Sequence, residues 1–591
     1  MGEEKKRLSD IENLYQNEIE PHDFVQLVAG VGSGKTTYVE NFIKGNPEKN
    51  IPRKTVLLIT SRKSKVLESL NEDDLPVEGK IRKWDYYHCF LSEENELNDE
   101  NIKYLRILKD GWGEHRVMQK SVVCTNAFIE AYLKYFYKPQ DITTHIWELF
   151  DMIVVDEVHS MIVDASYQSA PFYVRSLINK TLTVLRTAKK EGRKLPACQH
   201  VILMTGTPEP VEGIKAEVVI DKREECPNVA PKNVYFIDRD EAKKKIKAQY
   251  EKNEKIIHFT NHTFFPKDYA NNMDINKNGV VVSFSKDERR TELKKSDAKS
   301  FKEMEETEKA IREKMLLPDY VKIFATTSRN KEGININNEN IPHMYIEAHN
   351  RTDAVQMAGR LRVGVKNLYV IVDEKPVREP GWKYEAEFTE LTQARSNPTK
   401  DDKGALNDYL VRVCKNNGIE KFGNNDNCEL TAYDKKCEEI SKFIEFAHEK
   451  FPYAQFNYVT NRFEYYAWRK LGIEYSQEQE SCFKNAYLNG ELTSLGKEWF
   501  PTANIYNYVS REKRAKAILD EFIAKSDSGK FLQDELDSLC NTLNSVFGTD
   551  YKKINRVLEK FTNKHFERCS QNNKRPNYNK FQLVYGNDTE V

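Results

Sequence analysis

Residues 23–45 read DFVQLVAGVGSGKTTYVENFIKG. Asp23 to Val28 is a short apolar run that stops at Ala29-Gly30, and the stretch after Lys35 puts Val39, Phe42 and Ile43 on one helical face. The pattern predicts a strand, a glycine loop and a helix. In such a loop Gly30, Gly32 and Gly34 let successive backbone amides turn toward phosphate oxygens, with Ser33 and Thr37 in the same turn. The helix N-terminus adds its positive end, Lys35 reaches the terminal phosphates and Thr36 is placed to ligate magnesium. The spacing is AxxxxGKT, with Ala29 where glycine is commonest.

Downstream, Asp151-Met-Ile-Val-Val is an apolar strand followed by Asp156 and Glu157. A parallel sheet presents its site at that end of its strands. Asp156 is suited to hold magnesium through water and Glu157 to polarise an attacking water, the division of labour that phosphoryl transfer to water requires. ATP and Mg2+ are therefore the expected cofactors. His159, two residues on, is expected to be a polar interdomain contact.

The run DEVH (156–159) resembles the DExH box of superfamily 2 helicases, and further islands fall in that family's order over about residues 20–375. Thr60-Ser61-Arg62 after TVLLI, and Thr125 after SVVC, resemble the family's strand-contacting motifs. Thr205-Gly206-Thr207 after HVILM resembles its coupling motif, and Thr326 to Ile336 the motif that links nucleotide and polynucleotide, with Gly333 and Asn335 where Gly and Asp often sit. QMAGRLR at 356–362 resembles QxxGRxxR: Gln356, Gly359, Arg360 and Arg362 on a helix that Thr352 or Asp353 would cap, with Val363 where the last arginine commonly stands. Viral and plasmid origin-binding helicases have a similar glycine loop and QxxGRxR form.

The resemblance implies an arginine finger, Arg360 ahead of Arg362, supplied from a second lobe, so that hydrolysis depends on closing a cleft. It also implies nucleic-acid contacts at Thr60, Ser61, Arg62, Thr125 and Thr326, and coupling through His159, Thr205 and Thr207. No adenine-reading glutamine motif of the DEAD-box kind is evident before the phosphate loop.

After CPNVAPKN (226–233) a second set of apolar runs begins: VYFI, KIIHF, VVVSF, VKIFA, HMYIE and NLYVIVD, ending at Asp373. The expected fold is α/β: two tandem RecA-like doubly wound parallel-sheet lobes and a mainly α-helical C-terminal region. The domain plan is an extension at 1–22, lobe 1 at 23–222, lobe 2 at 223–375 with a charged helical stretch near 286–316, and an accessory region at 376–591. In that last region, helical spacing recurs at 437–451 and 514–526, and aromatic residues interleave with basic ones at 461–470 and 503–516. Core packing and base stacking both account for them. The segment SQNNKRPNYNKFQ (570–582) is expected to be poorly ordered.

The 591 residues carry 39% hydrophobic content and a net charge of −1, from 91 basic and 92 acidic residues, so a polynucleotide partner must be met by local basic patches. The ten cysteines include no CxxC pair, which points to reduced, buried thiols and away from zinc ribbons. No run is long and apolar enough for a membrane span, and the start has no secretory core; a cytoplasmic protein, or one of a nucleoid or viral replication complex, is expected. Three function classes remain: an ATP-dependent helicase or translocase, acting on DNA more than RNA; an ATP-dependent switch that clamps nucleic acid without unwinding; and a terminase-like packaging ATPase, which would lack the QxxGRxR lobe. Protein partners through the C-terminal region fit any of them. No nuclease constellation is apparent.

Overall fold

The apolar runs of the first 222 residues form one parallel sheet. Its strands are β1 (Phe24–Val28), β2 (Val56–Thr60), β3 (Tyr86–Cys89), β4 (Ser121–Thr125), β5 (Met152–Val155), β6 (His200–Thr205) and β7 (Val218–Asp221). Their order is β3-β4-β2-β5-β6-β1-β7, and every pairing is parallel. This is a computed structural model; it describes residues 6–61, 86–89, 121–135, 137, 142, 145–164, 170–208, 216–262, 264–284, 287–327, 334–372, 458–526, 529–562, 564–570 and 580–585.

Strands β1, β2, β5 and β6 are buried on both faces, which is why they read as continuous apolar runs and not as alternating ones. Helices cover the two faces: α1 (Lys35–Lys44), α2 (Asn126–Tyr135), α3 (Ile146–Leu149), α4 (Ser160–Val163) and α5 (Ala170–Glu191). Two cores result. One gathers Phe128, Tyr132, Trp147, Phe150 and Phe172, the other Leu27, Tyr38, Phe42 and Leu58 with Leu8, Tyr15 and Ile19 from the N-terminal extension.

The second lobe repeats the plan with β8 (Asn233–Asp238), β9 (Ile256–Thr260), β10 (Val280–Ser283), β11 (Ile323–Thr327), β12 (His343–Ile346) and β13 (Asn367–Val372), all parallel. Its helices are α6 (Arg239–Glu251), α7 (Pro266–Asn272), α8 (Asp287–Ser296), α9 (Ala298–Lys314) and α10 (Arg351–Ala358). The charged stretch near 286–316 is the crossover α8–α9 between β10 and β11. It buries Leu293, Met304 and Ile311 in the lobe core, and Arg290 clasps Glu308 through two hydrogen bonds of 3.0 and 2.9 Å.

The C-terminal region is helical, with α11 (Tyr458–Asn489), α12 (Leu492–Trp499), α13 (Arg511–Ala524), α14 (Gln533–Phe547) and α15 (Ile554–Leu558). It also holds strands that the sequence did not announce. β14 (Asn504–Asn507) pairs in parallel with β8 and becomes the seventh strand of the second sheet, in the order β10-β11-β9-β12-β13-β8-β14. Tyr506, within the aromatic segment 503–516, stacks on Tyr235, which stacks on Tyr369 and that on Tyr345, at 4.9, 5.0 and 4.5 Å between ring centres. This segment is therefore sheet edge and ring stack. β15 (Lys530–Leu532), β16 (Lys564–Ser570) and β17 (Lys580–Tyr585) make a small antiparallel sheet over the core of α13–α15. The expectation of a poorly ordered segment at 570–582 is corrected at Ser570, which ends β16, and at residues 580–582, which begin β17. Arg62, Gly333 and the helical spacing at 437–451 lie outside the described residues, and the side chains of 461–470 do too.

Of the cysteines described, Cys124, Cys198, Cys226 and Cys540 are buried thiols. Among the described residues no helix is long and apolar enough to cross a membrane.

Candidate nucleotide site between the lobes

Strand order brings the first two motifs together. β6 lies between β1 and β5, so the loop after β1 and the carboxylates after β5 are two strand spacings apart, about 10 Å. Across that gap Thr36 Oγ1 donates to Asp156 Oδ2 at 3.1 Å. Lys35, 6% exposed, folds back so that Nζ donates to the carbonyls of Ala29 (3.0 Å) and Gly30 (3.2 Å). Gly32 and Gly34 have φ of +87° and +82°, where a side chain is strained, and helix α1 starts directly after them.

Not every amide of the loop faces the same way. The N–H of Gly30 donates to Cys226 O at 2.8 Å and that of Val31 to Asn228 Oδ1 at 2.7 Å. The segment joining the lobes therefore crosses the loop, and a Cβ on Gly30 would meet the Pro227 backbone at 2.2 Å. Gly30 is required for that crossing; the expectation that its amide turns toward phosphate is corrected. The phosphate-facing portion begins at Gly32. Ser33 Oγ is buried there with no hydrogen-bond partner among the described residues. Loop, lysine, threonine and aspartate fit a magnesium–nucleotide triphosphate: the loop would supply backbone donors, and Thr36 with Asp156 would supply oxygen ligands.

Glu157 follows with φ of +52°, an uncommon conformation for a non-glycine residue, costing on the order of 1–3 kcal/mol. Its N–H donates to the Asp156 carboxylate at 3.0 Å. The turn aims its own carboxylate away from Asp156 and at the second lobe. Gln356 Nε2 donates to Glu157 Oε2 at 3.3 Å, and Arg360 Nη2 lies 3.9 Å from Oε1. Arg360, 1% exposed, is held by its neighbour one helical turn back: Nε donates to Gln356 O at 3.1 Å and Nη2 to Gln356 Oε1 at 2.6 Å. Helix α10 begins at the N-cap Asn350, whose side chain accepts from Asp353 N at 2.7 Å. Thr352 and Asp353, expected as caps, are already helical, and α10 ends at Ala358, so Gly359, Arg360 and Arg362, expected on the helix, follow it in a turn.

Arg362 occupies a different place from Arg360. A Cβ on Gly32 would come within 2.6 Å of Arg362 Nη1, so this guanidinium lies on the phosphate loop. Its other end donates to Asn335 Oδ1. Asn335 thus positions an arginine. The strand-like pairing of Ile336 with Leu361 holds the two segments in step.

His159 Nδ1 lies 3.1 Å from Thr205 Oγ1 and 3.6 Å from Glu157 Oε2, and Thr205 Oγ1 donates to Thr207 O at 3.0 Å. The three residues expected to couple the lobes therefore connect Glu157 to the end of β6. Thr60, Thr125 and Thr326 stand at the C-terminal ends of β2, β4 and β11 with side chains buried, and Thr125 Oγ1 accepts from Phe128 N at 3.3 Å. Ser61, at the end of β2, is partly exposed.

Sequence reasoning missed Val31, Asn228 and the N-terminal extension. Leu8 N donates to Ser33 O at 2.9 Å, so the segment before β1 docks on the phosphate loop. The apolar trio Leu8, Tyr15 and Ile19 was the available signal.

Two parallel-sheet lobes meet in one cleft, with a phosphate loop and acidic pair on one wall and a QxxGR helix on the other. The fold is α/β, with two tandem parallel-sheet lobes. Solved structures similar to this chain include Dbp5 of S. cerevisiae bound to RNA and ADP BeF3 (14% identity, 61% of this chain and 82% of that one, TM-score 0.36). Another is Mss116p bound to ssRNA and AMP-PNP (13%, 78% and 85%, 0.38). A third is the helicase Lhr of Mycobacterium smegmatis bound to ssDNA and AMP-PNP (11%, 60% and 44%, 0.36). At these scores the likeness is coarse, and the roles of the side chains rest on their own geometry. No protein-family model matches the sequence, and no curated protein matches it.

Proposed function

We propose that the chain is an ATP-dependent nucleic-acid helicase or translocase that hydrolyses nucleotide in the cleft between its lobes, acting on DNA more than RNA in replication, repair or defence. One observation carries the proposal. Glu157, suited to polarise water, is met across the cleft by Gln356 and Arg360, while Arg362 lies on the phosphate loop. Residues from both lobes must come together to complete such a site, which makes hydrolysis report on closure.

In this reading Lys35 exchanges the carbonyls of Ala29 and Gly30 for the terminal phosphates, and Thr36 and Asp156 hold magnesium. When bound, that ion supplies positive charge to the phosphate oxygens. Glu157 orients the attacking water. Arg362 and Arg360, planar and permanently charged, face the negative charge that spreads in the transition state. His159, Thr205 and Thr207 carry the state of Glu157 to the end of β6, and Thr60, Ser61, Thr125 and Thr326 mark the strand ends over which a nucleic-acid strand runs, with Arg62 the next residue in sequence after Ser61.

Hydrolysis of ATP measured with single-stranded DNA, duplex DNA, RNA or no polynucleotide, in wild type and in Lys35→Ala, Glu157→Gln and Arg360→Ala, tests this. Polynucleotide-stimulated hydrolysis that all three substitutions abolish is expected. Equal hydrolysis in wild type and variants overturns it. Separation of a tailed duplex distinguishes a helicase from a translocase or from a switch that clamps without unwinding.

A further inference from the structure

Helix α11 is rooted in the second lobe and reaches the first. Near its C-terminal end Phe483, Ala486 and Tyr487 are buried in the second lobe's core, and Phe483 packs against Trp499 and His349 with ring centres 5.8 and 5.1 Å apart. Earlier on the helix, Tyr475 packs on the aromatic core of the first lobe, and α11 lies against α4, the helical turn directly after DEVH. Two turns of helix, about 11–12 Å, separate these anchor points.

Between them the Tyr475 hydroxyl lies 3.3 Å from Thr352 Oγ1. Thr352 is 1% exposed and is the second residue of α10, the helix that carries Gln356 and ends two residues before Arg360. Burial pushes the Tyr475 hydroxyl above its ordinary pKa, which keeps it protonated and able to donate. One side chain therefore touches the first lobe's core and the start of the second lobe's helix α10, which leads into Arg360.

We propose that Tyr475 is a positioning residue: through Thr352 it sets the pose of α10 when the cleft is closed, and α11 is a strap that must leave α4 when the cleft opens. This rests on the hydrolysis reading above. The C-terminal region thereby acts on the rate of hydrolysis without touching nucleotide. Closure is stabilised by the packing of Tyr475 on the first lobe's core and of α11 on α4, contacts that exist only when both lobes are in place.

The experiment compares Tyr475→Phe, Thr352→Val, the double variant and Thr352→Ser in polynucleotide-saturated ATP hydrolysis, with thermal melting alongside and Lys35→Ala as the control for the motor reading. Tyr475→Phe keeps the ring and removes only the hydroxyl. Each of the two single variants is expected to lower kcat by about 2- to 10-fold, the effect of one hydrogen bond, with KM for ATP and the melting temperature held. The double variant is expected to fall no further than either single one, because both remove the same bond. Thr352→Ser, which keeps the hydroxyl, is expected to restore the rate that Thr352→Val loses.

Unchanged kcat in the single variants, additive losses in the double one, or a loss that follows a drop in melting temperature overturns the proposal. With hydrolysis abolished in Lys35→Ala, any of those results removes the role of Tyr475 and leaves the motor reading standing. If wild type shows no Lys35-dependent hydrolysis, both fall together.

Discussion

Val31, in the phosphate loop of the first lobe, packs directly on Gly359 of the second. Its side chain belongs to the second lobe's core, and a Cβ on Gly359 would come within 2.5 Å of its Cγ1 and 3.0 Å of its Cβ. On the other side, a Cβ on Gly206, just after β6, would lie 2.8 Å from Cγ2. Val31 is thus a plug between two glycines, one from each lobe, and a valine has little rotamer freedom with which to give way. Gly359→Ala should hold the lobes apart and lower kcat by about 10- to 100-fold, since a misplacement of about 1 Å at the reacting groups has that scale. Nucleotide affinity of the first lobe should change little. Adding Val31→Ala should recover part of the rate; equal rates in Gly359→Ala and wild type would show that the plug does not set closure.

Arg360 and Arg362 occupy different places in the cleft, and in the proposed mechanism they divide the role of the arginine finger. Arg360 is fastened to Gln356 and Glu157, whereas Arg362 lies against Gly32 and is steadied by Asn335. Arg362→Ala should therefore lower single-turnover hydrolysis by about 10³-fold or more, with nucleotide binding retained. Arg362→Lys should recover little, because a point charge does not reproduce the planar fork. Asn335→Ala should give a smaller loss in the same direction. Nucleotide affinity and single-turnover rates measured together check this, and a wild-type rate in Arg362→Ala would return the role to Arg360 alone.

Asn228 provides a check on the joining segment. Its side chain accepts the Val31 N–H at 2.7 Å, while Cys226 O accepts that of Gly30. Asn228→Ala strands a part-buried donor in the phosphate loop, a cost of about 1–3 kcal/mol. Nucleotide affinity measured by fluorescence titration should fall, and Asn228→Asp, which keeps the acceptor, should lie closer to wild type. Equal affinity in wild type and Asn228→Ala would remove the segment from the site.

Much of this was legible in the sequence for an identifiable reason. Strands buried on both faces are continuous apolar runs, so β1, β2, β4, β5, β6 and the six strands β8 to β13 could be placed by eye, and GSGKTT, DEVH and QMAGR are local patterns tied to their ends. What escaped depends on contacts between distant segments. Nothing local to Asn504–Asn507 says that it pairs with β8, because a partly exposed edge strand has no apolar run. The spacing of Arg362 from Gln356 argued against it; only its distance to Gly32 reveals its place. The left-handed turn at Glu157 is likewise invisible, since a glutamate carries no local preference for it.

The second lobe contains a group whose titration should be felt in stability. His258 is buried on β9, with Nδ1 2.8 Å from the Tyr269 hydroxyl and Nε2 3.9 Å from Glu347; Arg239 and His262 also act on it. Burial pushes its pKa down to about 4, with Glu347 opposing and Arg239 and His262 reinforcing the shift. In the unfolded chain the value returns to 6.5. Between these values the folded histidine is neutral and the unfolded one takes up a proton, so unfolding gains protons and stability falls as pH drops through this window. The contribution is fully present above about pH 6.5 and is of order 3 kcal/mol. Unfolding by urea at pH 7.5, 6.0 and 5.0 should show that decline in wild type. His258→Gln, which keeps a polar side chain beside Tyr269 but has no proton to gain, should be less stable at pH 7.5 and have a flatter profile. Parallel profiles for the two proteins would show that the acid sensitivity comes from other groups.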